Sequence, residues 1–156
     1  MAKFPTTVEK SITVHAPIDR VYAYLWDVVG SSPCVPGLAK CKGTTSDTFC
    51  FMFEERSTGP FKMSLQYTAR YEGNGKDRIT FESTAAKNDN ADCKGSLRLQ
   101  ANGSDSTRIT LKQEIAPETP VPRLLQGLVR SFVETEAANG VKEYLANVKR
   151  ALEETA

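Results

Sequence analysis

The chain has 156 residues, a mass of 17.2 kDa and a formal net charge of +1, which suits one globular domain with a sizeable core. Apolar residues at 40% and charged residues at 25% are ordinary for such a domain. No Lys/Arg cluster forms a phosphate-tracking stripe, so nucleic acid is not an expected partner. The longest apolar run, Val21 to Trp26, is far below the ~20 residues of a membrane-spanning helix. The N-terminal MAKFPTT lacks the apolar centre of a signal peptide, and a cytoplasmic location is expected.

In chain order, Thr6 to His15 alternates, with Val8, Ile12 and Val14 on one side, and reads as a half-buried strand. Ala16-Pro17 ends it and opens a helix, with proline at an early position and Asp19 near the positive helix end. Val21, Tyr24, Leu25 and Val28 form its buried stripe, flanked by Tyr22 and Trp26. Gly30-Ser-Ser-Pro33 interrupts that helix, and only a short helical turn fits before Pro36-Gly37. Six further strands follow: Leu38 to Thr45, Phe49 to Arg56, Phe61 to Tyr71, Ile79 to Ala85, Cys93 to Ala101 and Thr107 to Ile115. Turns at Ser46-Asp47, Ser57 to Pro60, Gly73-Asn-Gly75, Lys87 to Asn90 and Asn102 to Asp105 separate them. Strands joined by such short turns are antiparallel neighbours.

Val121 to Glu153 is the organising helix, entered between Pro120 and Pro122. One apolar set runs through Val121, Leu124, Leu125, Leu128, Val129, Phe132 and Val133. A second comprises Val141, Tyr144, Leu145, Val148 and Leu152. The two sets point roughly 150° apart on a straight helix, and its full length would be about 50 Å against a domain about 40 Å across. Either the helix bends or widens near Ala138-Asn139-Gly140, or its halves pack on different partners. The sequence predicts a bend, a local widening or a frayed end centred on Gly140, against a continuous, gently curved helix that tolerates the glycine. The whole chain, residues 1–156, is then one α+β domain: a seven-stranded antiparallel sheet whose apolar face is covered by the long helix.

No catalytic constellation emerges. Cys34, Cys41, Cys50 and Cys93 have no CxxC spacing and His15 is the single histidine, so neither a zinc site nor a nucleophile–base pair can be argued. The default is four free thiols, mostly buried; a Cys34–Cys41 pairing stays open, but nothing asks for it. Asp89, Asp92 and their neighbouring asparagines read as a solvated turn, not a calcium loop. No P-loop or dinucleotide fingerprint is present, and no metal or cofactor is expected.

This order of elements resembles the helix-grip fold of the START-like (SRPBCC) superfamily, which includes polyketide cyclases and lipid-transfer domains. The opening VEKSITVHAPIDRVYAYLWD is similar to that superfamily's strand, Ala-Pro and helix. Cys34-Val35-Pro36-Gly37, Gly59-Pro60-Phe61-Lys62 and Gly95 resemble the carbon monoxide dehydrogenase G-subunit-like branch. The resemblance implies a curved seven-stranded sheet wrapped around the C-terminal helix, two short helices after the first strand, and a cavity for an apolar or amphipathic small molecule. The branch implies an accessory role to a redox enzyme and quinone-like ligands; a protein partner in a redox complex and a homodimer are compatible with it.

If Met63, Leu65 and Tyr67 face the helix, alternation brings Phe81, Leu97, Leu99, Ile109, Leu111 and Ile115 to the same side. Leu125, Leu128, Val129 and Phe132 would close the volume. The same residues serve equally as plain core. Ser83, Gln113 and Glu55 are polar positions in register with that face, which either bond one another or orient a ligand. The candidate ligand-binding residues are therefore Glu55, Met63, Leu65, Tyr67, Phe81, Ser83, Leu97, Leu99, Leu111, Gln113, Leu125, Leu128, Val129 and Phe132. Tyr22, Tyr24 and Trp26 are candidates for an aromatic mouth, with packing the alternative. The first functional expectation is a non-catalytic carrier, sensor or redox accessory for a small lipophilic or aromatic molecule. A polyketide cyclase or dehydratase is the alternative, with Glu55 and Tyr67 as acid–base candidates. An interaction module with a filled core is the third.

Overall fold

Antiparallel pairing of alternating strands builds most of the molecule. The computed structural model describes residues 2–58 and 61–154; Gly59-Pro60, the end of one expected turn and the start of one motif, lies outside them. The elements are β1 (Ala2–Lys3), β2 (Thr6–Val14), α1 (Ile18–Trp26), α2 (Val28–Ser31), β3 (Leu38–Gly43), β4 (Thr48–Phe53), β5 (Arg56–Thr58), β6 (Phe61–Met63), β7 (Gln66–Gly73), β8 (Arg78–Ser83), β9 (Ala91–Ala101), β10 (Thr107–Thr119) and α3 (Gln126–Glu154). Single 3-10 turns, Ser32–Cys34 and Arg123–Leu125, precede β3 and α3. The sheet runs β3-β4-β7-β8-β9-β10, with β2 and then β1 along the far side of β10. It wraps around α3 in the helix-grip manner the sequence predicts.

Each of the seven expected strands has a counterpart, but the described residues contain ten strands. One addition is β1, whose Ala2 and Lys3 pair with Thr119 and Glu118 at the end of β10. The other comes from a break in two strands expected to be continuous. Phe53 N–H donates to Leu65 O at 2.9 Å and Glu54 N–H to Gly37 O at 2.9 Å, so β4 changes partner there. Opposite, the Asn90 side chain takes the place of a strand: Gln66 N–H donates to its Oδ1 at 2.8 Å and its Nδ2 donates to Ser64 O at 2.7 Å. Released from the main sheet, β5 and β6 pair with each other as a separate hairpin. The Lys87 to Asn90 turn is thus a structural clamp. Asp89 reinforces it by accepting from Gln66 Nε2 at 3.1 Å and Thr68 Oγ1 at 3.3 Å.

The long helix corrects another expectation. Its α-helical hydrogen bonding begins at Gln126, after the turn that Pro122 initiates, and continues through Glu154 without interruption at Ala138 to Val141. No widening or frayed end occurs at Gly140. The two apolar sets are accommodated by the other arrangement, in which the halves have different partners. Val141, Leu145, Val148 and Leu152 join the main core with Val14, Val21, Leu25, Ile79 and Ile109. Val129 and Val133 instead pack against Phe4, which is 1% exposed, with Met63 and Val121 alongside.

Among the described residues, side-chain bonds fasten the C-terminal half of α3 to the end of β2, to α1 and to the turn before β3. Lys149 Nζ donates to Thr13 O at 3.0 Å and to Glu153 Oε2 at 2.7 Å, and Glu153 accepts from His15 N–H at 2.8 Å. Arg20 donates to Leu152 O at 2.7 Å, and Asn147 Nδ2 to Cys34 O at 3.0 Å. Lys149 and the His15 amide hold the Glu153 carboxyl below its usual range. His15 thus lies just after β2, where its backbone amide helps tie the helix down. All four cysteines are free, with Cys34, Cys50 and Cys93 buried.

Candidate functional site: a cavity between sheet and helix

A cavity of about 280 Å³ lies between the concave sheet and the middle of α3, near the lower end of the ~300–1,000 Å³ typical of small-molecule sites. One wall is aromatic. Alternation along β4, β7 and β8 brings Phe51, Phe53, Tyr67, Tyr71 and Phe81 to the inner face, where the rings lie in sequence across three strands. Phe51 stacks on Tyr67 with centroids 5.1 Å apart, Phe53 on Tyr67 at 5.8 Å, and Tyr71 on Phe81 at 5.4 Å. Offset aromatic pairs of this kind are attractive beyond the area they bury.

Gly95 makes the end of that wall. It pairs with Phe81 on β8 and Gln113 on β10. A β-carbon there would collide with Lys112 O and press on the Phe81 ring. Only glycine lets the ring lie down over β9. Leu97, Leu111, Gln113 and Ile115 continue the floor, and Leu25 and Val28 close the side towards α1 and α2. The helix contributes Phe132, Val133, Val141 and Tyr144.

Polar groups are few inside. No buried polar side-chain atom among the described residues lacks a partner. Tyr71, Tyr144 and Gln113 line the cavity with no side-chain hydrogen bond to any described residue, so their polar atoms open onto it. Burial, and then neighbouring Tyr144 and the cysteines Cys93 and Cys41, pushes Tyr71 well above the ordinary phenol range. Burial likewise raises Tyr144 and Tyr67. All three are neutral phenols, able to donate and unable to act as bases near neutrality. Burial also pushes the Cys93 thiol, next to Tyr67, up to about 12.

The charged groups collect at the rim, where Val35-Pro36-Gly37, the β5–β6 hairpin and the middle of α3 meet. Glu54, Arg56, Glu136 and Glu143 line it. Arg56 Nη2 lies 2.8 Å from Glu136 Oε2 and 3.1 Å from Oε1, tying the hairpin to the helix.

Of the expected residues, Met63, Leu65, Tyr67, Phe81, Leu97, Leu111, Gln113 and Phe132 line this one cavity. The others do not. Glu55 is exposed and Glu54 takes its place, because the partner switch after Phe53 resets the alternation. Ser83 bonds within the sheet, donating to Cys93 O at 3.0 Å and accepting from Cys93 N–H. Leu99 is sealed in the core beyond the cavity. Val129 is covered by Phe4, Leu125 is half-buried away from the cavity, and Leu128 is 46% exposed. Val129 misses because Phe4 covers it, whereas Leu128 faces outward and Leu125 belongs to the 3-10 turn that precedes the helix.

The aromatics of α1 are packing groups. Tyr22 stacks on Trp26 over Gly73 and accepts from Gly75 N–H at 2.9 Å, while the Tyr24 hydroxyl meets Cys34 Sγ at 3.1 Å. Phe51, Phe53, Tyr71 and Tyr144 also line the cavity, beyond the candidates that the sequence supplies. The signal for Tyr71 was already present in the alternation from Met63, and that for Tyr144 in the second apolar set of the helix.

Solved structures with this architecture cover nearly the whole chain. A START superfamily protein from Mycobacterium smegmatis superposes with a TM-score of 0.74 at 13% identity, covering 96% of this chain and 99% of that one. A Thermus thermophilus protein gives 0.71 at 17% identity, with 97% and 99% covered. The Zhui aromatase/cyclase from Streptomyces sp. R1128 gives 0.64 at 16%, with 94% of each chain covered. No curated protein matches the chain. The family model for polyketide cyclase / dehydrase and lipid transport matches residues 5–153, from β2 to the last turn of α3. The chain belongs to that family, and its fold is START-like.

Proposed function

We propose that the protein is a non-catalytic binding protein for a small lipophilic or aromatic molecule, held between the aromatic wall and α3. The observation that carries this reading is a cavity with an apolar, ring-lined interior and three polar side chains without partners among the described residues. Apolar surface removed from water contributes roughly 25 cal/mol per Å², and a few fixed polar groups orient the guest. A packed interaction module would leave no such space. The interior offers no group poised to exchange protons near pH 7, since its phenols are held neutral. That favours a carrier or sensor over a catalyst.

We extend the proposal to a role as accessory to a redox system, with a quinone-like ligand and a protein partner or second copy, on the resemblance of short motifs to the carbon monoxide dehydrogenase G-subunit-like branch. Two of them meet the site: Val35-Pro36-Gly37 sits on the rim and Gly95 lies under Phe81. A cytoplasmic setting accords with this role; no helix among the described residues is long and apolar enough to cross a membrane.

A cyclase reading is favoured by the likeness to an aromatase/cyclase, and would assign proton transfer to the rim carboxylates Glu54 and Glu143.

The test is NMR titration with 1,4-naphthoquinone, a neutral two-ring probe. Saturable shifts at Phe81, Leu97, Leu111 and Phe132, with Tyr22 and Trp26 unmoved, are expected. Shifts absent from those four residues would remove the proposal.

A further inference from the structure

The distribution of charge around the cavity has a consequence for which molecules can enter. Every ionisable carboxylate or guanidinium that lines it is on the rim: Glu54 and Glu143 are exposed, Glu136 is partly so, and Arg56 is already engaged by Glu136. Among the described residues, no cation lines the interior to receive an anion. An ionised guest would lose its hydration among rings and leucines without gaining a counter-charge, which is costly for either sign. For an anion the rim adds repulsion, because carboxylates outnumber the single paired guanidinium. An uncharged guest meets neither penalty.

Tyr71, on β7, lines the cavity from the sheet and Tyr144, on α3, lines it from the helix, and neither hydroxyl has a hydrogen-bond partner among the described residues. A phenol donates one hydrogen bond. A carbonyl oxygen accepts two, through its two lone pairs.

We propose that the cavity selects an uncharged, flat molecule carrying a hydrogen-bond acceptor, with Tyr71 and Tyr144 donating to that acceptor and Glu54, Glu136 and Glu143 excluding the corresponding carboxylate. This rests on the ligand-cavity reading above and narrows it to a substrate class. Free fatty acids and aromatic acids are excluded; ketones, esters and quinones of similar skeleton are admitted.

Three probes with one ring system test it by calorimetry at pH 7: methyl 2-naphthoate, 2-naphthoate and naphthalene. The ester is expected to bind at least ~10-fold more tightly than the ionised acid. The combined Glu54→Gln and Glu143→Gln variant narrows that gap by strengthening binding of the acid. Tyr71→Phe and Tyr144→Phe each weaken ester binding about fivefold, the equivalent of one ordinary hydrogen bond. They leave naphthalene, which has no acceptor, unchanged. A merely structural role for the tyrosines would weaken ester and hydrocarbon alike, and that result would overturn the donor assignment. Equal or tighter binding of 2-naphthoate overturns the selectivity while leaving a ligand cavity in place. Failure of all three probes to bind removes the cavity reading, and the inference with it.

Discussion

Gly140 offers a sharp quantitative test, because the sequence and the structure weigh it differently. The periodicity of the last helix marks Gly140 as a place to bend, whereas the helix passes through it unbroken. A β-carbon added at Gly140 would meet nothing within 4 Å. Gly140→Ala therefore adds no clash and removes the conformational freedom that glycine brings to the unfolded chain. In a helix interior that difference is about 0.8–1.0 kcal/mol in favour of alanine. For a chain of this length, such a gain corresponds to a rise in Tm of about 2–4 °C. Thermal unfolding followed by circular dichroism, with urea denaturation as a check on the free energy, measures both. A fall in stability of either kind would mean that residue 140 leaves helical geometry in solution, and would refute the reasoning from open space and helix propensity. Hydrogen exchange adds the dynamic side. The bonded C-terminal half of α3 should be better protected than residues 126–139, which have few such ties; uniform protection along the helix would contradict that difference in anchoring.

Other sites give equally definite expectations. Gly95→Ala should cost at least about 2 kcal/mol, since backbone and the Phe81 ring leave no room for a methyl group; urea denaturation reads the loss, and a neutral outcome would contradict the packing of the aromatic wall. Phe4→Ala should cost about 3–5 kcal/mol and expose the half of α3 bearing Val129 and Val133, visible as faster hydrogen exchange there. Asn90→Ala leaves the part-buried Gln66 N–H without its side-chain partner, at about 1–3 kcal/mol, while the exposed Ser64 O turns to water; urea denaturation measures the loss. Stability should fall as pH rises from about 9, where a thiol ionises in the unfolded chain, through the value of about 12 to which burial pushes Cys93. The sign follows from proton binding: in that window the unfolded chain releases the proton and the folded one keeps it. Buried Tyr67, Tyr71 and Tyr144 act in the same direction, their folded values also being raised. A flat stability profile above pH 9 would contradict it.

The architecture was legible because it rests on periodicity. Alternation placed seven strands, the 3.6-residue repeat placed α1 and α3, and Pro17 and Pro122 mark where α1 and the turn into α3 begin. By contrast, α1 already ends at Trp26, ahead of the interruption expected at Gly30. What escaped depends on contacts distant in sequence. Nothing near residues 64 and 65 foretells that Asn90 will stand in for a strand there, and without that break Glu55 reads as the inward residue instead of Glu54. Phe4 precedes the first recognisable strand, yet it decides which face of α3 is covered and so removes Val129 from the site. Polar residues were harder still, because alternation gives a direction but no partner. Ser83 and Gln113 looked alike in sequence; one is satisfied inside the sheet and the other opens onto the cavity.

Native mass spectrometry of the purified protein, compared with its denatured mass, tests the ligand-binding reading most directly. The expected result is a mass excess from a small, uncharged, lipophilic compound that dissociates on unfolding and is recovered in organic extract. An unliganded mass, together with no stabilisation by ketone, ester or quinone probes, would contradict that reading and shift the weight to an interaction module.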